Sequence, residues 1–215
     1  MRSTLTMIIG MALGGLGLLR PLGPTALTPA SALPYYDSRE FTPKWTSVDH
    51  RVAPFHLIDQ ENRPLTEKDL DGKIHVASFL FAQCPSLCPT LVQRLKPVQE
   101  AIRGHPDVMM VSYTVTPLTD TPAVLADFGH LRGIDPERWR LATGELSEIK
   151  RVIRGSYFAD DDRPIDGVPQ SRLLHSEKVL LVDGGRHLRG IYNGTNAFEM
   201  ERLVEDIATL GKEKR

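Results

Sequence analysis

Cysteine is scarce in this sequence, with only Cys84 and Cys88 among 215 residues. Small exported domains that lack a large core are held by several disulfides, so two cysteines exclude a disulfide scaffold. The two residues are separated by only three others. A disulfide between them would close so small a ring that it would stabilise the fold only slightly. The spacing therefore indicates a local site of thiol or metal chemistry, with a plain structural disulfide as the alternative.

The sequence also lacks an excess of either charge. Its 26 Lys and Arg residues against 27 Asp and Glu residues leave a net charge of −1. Nucleic-acid-binding proteins usually carry a basic stripe, so we exclude nucleic acid as a partner. A hydrophobic fraction of 41% and a charged fraction of 25% are typical of an ordinary globular protein. The length allows one domain and a tail.

The apolar run near the N-terminus, Leu5–Leu19, is too short for an ordinary membrane span. As a helix its 15 residues would cover about 22 Å, against roughly 30 Å for the hydrocarbon core. The run follows Arg2 and precedes the small residues 30–32, a pattern typical of a secretory signal. We therefore predict that residues 1–32 are a signal peptide or, if uncleaved, an N-terminal membrane anchor. Either places the folded part outside the cytoplasm, and removal of the segment would leave a net charge of −3 because it contains two Arg residues and no acids.

The rest of the chain alternates strand-like and helix-like segments. Residues 33–52, rich in Pro and aromatic residues, predict an extended arm, and Phe55–Leu70 predicts a β-hairpin with its turn near Gln60–Arg63. The order predicts an α/β, thioredoxin-like domain over residues 53–215: a central mixed sheet flanked by helices, with the first hairpin as an N-terminal extension. Strands are predicted at His75–Ala82, Val108–Val115 and Trp139–Ala142, helices at Leu91–Ile102, Thr121–Leu131 and Glu145–Tyr157, and a terminal hairpin (Leu173–Val182, His187–Tyr192) before a helix at Ala197–Leu210.

The two cysteines lie where a buried strand feeds a helix. A helix N-terminus has unpaired N–H groups and a partial positive charge, so we expect thiolate to be favoured over thiol there. Pro89 lacks an N–H, and we expect the helix to begin near it, with Cys88 at the helix entry and Cys84 in the preceding turn. The turn would let both sulfurs point the same way, close enough for a disulfide or for one metal ion.

Two thiolates do not complete a metal shell, and a third ligand must come from elsewhere in the chain. Of the seven histidines, His175 is the candidate because it directly precedes the first strand of the terminal hairpin. In a thioredoxin-like fold that junction faces the Cys turn. Two sulfurs and one imidazole suit copper, since sulfur favours Cu(I) and imidazole accepts Cu(II). Zinc with a bound water remains an alternative for the same residues.

At this point the sequence resembles the Sco/SenC family of copper-binding, thioredoxin-like proteins, from about Leu33 to Leu210. The resemblance is carried by Cys84-Pro-Ser-Leu-Cys88-Pro after a Phe-rich strand, by His175-Ser before an apolar strand, and by Asp120-Thr-Pro after a strand. It implies that Cys84, Cys88 and His175 are the copper ligands. It also implies that the same two cysteines are the redox pair.

The resemblance further implies a periplasmic copper metallochaperone that helps to assemble the dinuclear copper centre of cytochrome c oxidase. Its implied partners are the copper-binding subunit of the oxidase and a second periplasmic copper chaperone or thiol reductase. Membrane contact would be made only through an uncleaved N-terminus. A binding protein is our main interpretation. The enzymatic alternative is a thiol–disulfide reductase that keeps the cysteines of the oxidase subunit reduced, with Cys84 attacking and Cys88 resolving the mixed disulfide. A copper or redox sensor, or a peroxide-reducing enzyme, is a third alternative.

The chain departs from the family pattern in acidic residues near the site. Ser86 and Leu87 stand where an acid is frequent, and Thr116 stands where the family usually has Asp in Val-Asp-Pro. Fewer acids should lower the thiol pKa values and weaken the preference for a divalent cation. We therefore expect a site tuned toward Cu(I) or toward thiol chemistry. Thr121 or Asp120 is expected to cap the helix that follows, and we expect Asp120 to have no role beyond such a cap.

Overall fold

The computed structural model describes residues 32–85, 87–159 and 177–213. These residues contain two sheets. The strands are β1 His56–Ile58, β2 Pro64–Thr66, β3 Ile74–Leu80, β4 Val108–Thr114, β5 Trp139–Ala142, β6 Lys178–Val182 and β7 Leu188–Asn193.

The larger sheet is mixed and has five strands in the order β5-β4-β3-β6-β7. Strands β3, β4 and β5 are parallel, β6 runs antiparallel to β3, and β7 runs antiparallel to β6. Strands β1 and β2 form a separate antiparallel hairpin. The α-helices in the described residues are α1 Leu87–Ala101, α2 Pro122–Arg132, α3 Leu146–Arg151 and α4 Ala197–Glu213, and α3 continues as a π-helical turn, Val152–Ser156.

The sheet is covered on both faces, which confirms the predicted thioredoxin-like α/β fold with its N-terminal hairpin. Every residue of β3 and β4 is buried, as expected for parallel strands that carry nearly continuous apolar runs. Helices α1, α2 and α4 pack on one face through residues such as Leu95, Phe128 and Leu203. The hairpin and α3 pack on the other through Phe55 and Ile149.

Capping residues determine both ends of α2, whereas α1 begins earlier than the sequence predicts. Thr121 caps α2 by accepting from the Val124 N–H, and Gly133 ends it with φ of 63°. Helix α1 begins at Leu87, two residues before Pro89. The reason is that N–H groups in the first turn have no partner within the helix, so Pro89 at the third helical position costs no hydrogen bond.

The arm is fastened where β7 begins. Tyr36 forms an isolated antiparallel bridge with Leu188. The buried guanidinium of Arg189 donates to the Leu33 carbonyl at 2.7 Å and to the Glu213 carboxylate at 2.8 Å, and the Leu33 N–H donates to the same carboxylate at 3.1 Å. Because β6 and β7 run antiparallel and β6 ends beside the start of β3, these contacts hold the arm near the amino end of β3.

None of the helices in residues 32–85, 87–159 and 177–213 is both long and apolar enough to cross a bilayer. The leader predicted at residues 1–32 lies outside the described residues except for residue 32. The leader, the arm boundary at residue 52 and the domain limits therefore stay predictions.

His75 in β3 is fully buried on the sheet face that packs against the hairpin and α3. Its Nε2 lies 3.1 Å from the Tyr157 hydroxyl, which lies 2.8 Å from the Tyr113 hydroxyl. Its Nδ1 has no hydrogen-bond partner within the described part of the chain. Burial lowers the pKa of His75 from 6.5 to about 3. The imidazole is therefore neutral in the folded protein at physiological pH.

This buried imidazole predicts a pH-dependent stability. Between pH 6.5 and about 3 the unfolded chain binds a proton at His75 that the folded chain does not. The free energy of unfolding should therefore fall as the pH is lowered through this window, by up to about 1.4 kcal/mol per pH unit from this one group. Urea unfolding of wild type and His75→Gln between pH 4 and 7 measures the difference. The exposed His105→Gln variant is the control and should keep the wild-type slope; an unchanged slope in His75→Gln would contradict the prediction.

Candidate metal centre

Cys84 and Cys88 lie where the chain enters α1. The chain leaves β3, turns within residues 81–85 and is in α1 from Leu87. The Cys84 N–H donates to the Phe81 carbonyl at 3.3 Å, and the Cys88 N–H donates to Cys84 Sγ at 3.2 Å. The Cys84 sulfur therefore accepts one of the unpaired N–H groups at the helix end. Both cysteines are free thiols, placed in the turn and the helix entry as the sequence predicts.

Both cysteines are buried. Cys84 is 6% exposed and Cys88 is 2% exposed, and they belong to the apolar cluster that includes Leu80 and Leu91. Burial raises the pKa of the Cys88 thiol from 9.0 to about 12, with smaller contributions from its hydrogen bond to Cys84 and from the Asp120 charge. The expectation that the helix N-terminus would favour thiolate is therefore wrong for Cys88. Desolvation disfavours the charged form more strongly than the helix dipole favours it.

Asp120 is part of this region, and its expected role as a simple helix cap is wrong. Thr121 caps α2, whereas Asp120 is 1% exposed. Its Oδ2 accepts the Ala82 N–H at 3.1 Å, the Thr116 hydroxyl at 3.1 Å and the Thr114 hydroxyl. The carboxylate thus joins the chain just before Cys84 to the connection after β4. The expected loss of acids near the site is therefore incomplete, because one buried acid remains.

The third predicted ligand, His175, lies outside the described residues, so its assignment stays a prediction. Within the described ranges no three His, Cys, Asp or Glu side chains lie close enough together to hold a metal ion. Other histidines make structural contacts: His50 Nε2 lies 3.0 Å from the Ser156 carbonyl, and His187 Nδ1 lies 3.1 Å from Asp183. Of the three predicted ligands, the described residues therefore include the two sulfurs.

The chain that follows His175 is described from Glu177 onward and lies beside α1. The Glu177 carbonyl accepts the Gly194 N–H at 2.7 Å. A Cβ on Gly194 would lie 2.3 Å from Leu91 Cδ1 and 3.0 Å from the Glu177 oxygen. Only glycine fits there without displacing one of them. Leu91 is one helical turn after Cys88. Glu177 therefore lies at the same end of the sheet as the two cysteines.

Sequence comparison places these features in a known group of proteins. A family model described as SCO1/SenC matches residues 44–212. A SCO2-like protein from Rickettsia felis is 31% identical over 159 residues, which cover 70% of this chain and 74% of that protein.

Solved structures give the same picture. The SCO1/SenC family lipoprotein from Bacillus anthracis superposes with a TM-score of 0.66 at 26% identity, covering 76% of this chain and 96% of that one. The structure of Bradyrhizobium japonicum ScoI with copper bound gives a TM-score of 0.57 at 25% identity, covering 75% and 98%. The fold is thus shared with a protein whose structure has copper bound.

The burial of Cys88 predicts that its thiol reacts slowly. At pH 8 the folded, metal-free Cys84→Ser variant should be alkylated by iodoacetamide at Cys88 at least about a hundredfold more slowly than the same variant in urea, because little thiolate forms and access is limited. Mass spectrometry of timed samples gives both rates. Cys88→Ser reports on Cys84 in the same way. Equal rates for Cys88 in the folded and unfolded chains would contradict the prediction.

Proposed function

Because the chain belongs to the SCO1/SenC family, we propose that it is a copper metallochaperone. Copper is its cargo, bound by the sulfurs of Cys84 and Cys88 and by the imidazole of His175. The observation that carries this proposal is the pair of buried free thiols where the chain enters α1, with Cys84 Sγ accepting the Cys88 N–H at 3.2 Å. Paired soft sulfur ligands in an apolar setting suit copper better than hard cations.

The protonation of the Cys88 thiol affects how copper binds. Since the pKa of Cys88 is raised to about 12, its thiol carries a proton at neutral pH, and copper must displace that proton to bind. Binding should therefore weaken as the pH falls. The site also avoids holding an unpaired buried thiolate when copper is absent.

The position of Glu177 supports His175 as the third ligand. Two residues of chain can extend at most about 7 Å, and Glu177 lies beside Gly194 and Leu91 near the sulfurs. Copper in the Bradyrhizobium japonicum relative supports copper over zinc as the ion. A third, nitrogen ligand lets the site hold Cu(II) as well as Cu(I).

We infer the client from the family rather than from the site. The proposed acceptor of copper is the copper-binding subunit of cytochrome c oxidase, at its dinuclear centre. The Bacillus anthracis relative is a lipoprotein, which supports an exported, membrane-associated protein and agrees with the leader predicted at residues 1–32. For this chain the proposed compartment is the periplasm.

A second candidate function is thiol–disulfide reduction of the oxidase subunit. The observation in its favour is that both cysteines are free thiols and that the Cys88 N–H donates to Cys84 Sγ. Cys84, which is slightly more exposed, would attack a target disulfide as thiolate and release one target thiol. Cys88 would then displace the second target thiol, which leaves a reduced target and a Cys84–Cys88 disulfide. An external dithiol reductase must then restore the pair.

One substitution separates the two functions. His175→Ala should lower copper affinity at least about a hundredfold, because a three-ligand site loses one ligand, while disulfide exchange of Cys84 and Cys88 with dithiothreitol should remain within about twofold of wild type. Competition against chromophoric copper chelators measures the first, and a redox titration measures the second. His105→Ala, at an exposed position, is the control and should leave both unchanged.

Full copper affinity in His175→Ala would show that the ligand assignment is wrong. Copper retention in Cys84→Ser and Cys88→Ser would overturn the metallochaperone function itself.

A further inference from the structure

We propose that Asp120 is a positioning residue that sets the preference of the sulfur pair between Cu(II) and Cu(I). Its buried carboxylate holds the turn before Cys84 and places a fixed negative charge beside the site. This inference rests on the proposed copper function. Asp120 would thus change the ratio of the affinities for Cu(I) and Cu(II) although it is not itself a copper ligand.

The contacts of Asp120 show how closely it is tied to the sulfurs. Its Oδ2 accepts from the Ala82 N–H, two residues before Cys84, and from the hydroxyls of Thr114 and Thr116. Three donors on one oxygen are the arrangement expected of an ionised carboxylate. The backbone that leads into the Cys turn is thus held by a charged group and not only by the sheet.

The second oxygen of the Asp120 carboxylate is not used in the contacts that hold the turn. Asp120 Oδ1 is buried and has no hydrogen-bond partner in the described ranges. An unpaired buried carboxylate oxygen is costly, so its presence calls for an explanation. Helix capping does not provide one, because Thr121 caps α2. A charge held next to the Cys turn does, because Oδ2 of the same carboxylate accepts from the Ala82 N–H at 3.1 Å, two residues before Cys84.

The direction of the effect follows from charge. Two thiolates with Cu(I) carry a net charge of −1, whereas two thiolates with Cu(II) are neutral. A nearby carboxylate in a poorly solvated region repels the first and leaves the second almost unaffected. Asp120 therefore favours Cu(II) relative to Cu(I). This opposes the shift toward Cu(I) expected from Ser86, Leu87 and Thr116.

The test is Asp120→Asn, which removes the charge and keeps the shape. The ratio of Cu(I) affinity to Cu(II) affinity should rise about tenfold, which corresponds to about 59 mV in the copper reduction potential. Chelator competition under reducing and oxidising conditions gives the two affinities separately. The Ala82 amide, followed by NMR hydrogen exchange in the metal-free protein, reports whether the turn keeps its hydrogen bond.

Two matched variants separate charge from structure. Thr116→Val removes one hydrogen bond to Asp120 but keeps the carboxylate, so the ratio should stay within about twofold of wild type. Asp59→Asn removes another fully buried carboxylate, in the β1–β2 turn where it pairs with Arg63. It should lower stability without changing the ratio. A tenfold change in Thr116→Val would show that geometry rather than charge sets the preference.

Each outcome bears on one proposal. An unchanged ratio in folded Asp120→Asn overturns the role of Asp120 and leaves the copper function intact. Failure of the wild type to bind copper in either state overturns the proposed function. If Asp120→Asn does not fold, Thr119→Lys, at an exposed position beside Asp120, should raise the ratio about twofold through a partly screened positive charge. An unchanged or lowered ratio in Thr119→Lys would then count against the proposal.

Discussion

The parallel pairing of β3 with β4 is the constraint on which the candidate site depends. Leu80 lies opposite Thr114, and the Val115 N–H donates to the Leu80 carbonyl at 2.9 Å. Parallel strands end at the same edge of a sheet, so the turn that carries the cysteines and the connection that carries Asp120 must leave side by side. The hydrogen bond from Ala82 to Asp120 then completes a contact that the register has already made possible.

Burial decides the chemistry of the sulfurs. The helix start offers N–H groups and a partial positive charge, yet the surrounding Leu80 and Leu91 remove the water that a thiolate needs. The metal-free protein therefore holds a neutral thiol at Cys88. A bound soft cation would neutralise the charge of a thiolate at Cys88. The same apolar surroundings would then favour the metal-bound state over a free thiolate. The helix end positions the sulfurs, while burial in the core disfavours ionisation of Cys88.

Local sequence signals predicted much of the fold. Strand β5 and the ends of α2 match the prediction closely, because capping residues and apolar runs act over a few residues. The neighbouring sulfurs were also predictable from their spacing. The pKa of Cys88 and the role of Asp120 were not, because both depend on packing between segments that are distant in the chain. The sequence signals for Asp120 were the Asp120-Thr-Pro motif and its place just after a predicted strand.

The contacts of Arg189 show at which end of the sheet the N-terminal arm is held. Leu33 is held at the amino end of β3, whereas the sulfurs lie beyond its carboxyl end. Seven residues of strand, at about 3.3 Å each, therefore separate the level of Leu33 from the start of the Cys turn. The Cys turn lies at the opposite end of β3, so a force applied at Leu33 acts away from the cysteines. A second protein can therefore contact the Cys turn without covering Leu33.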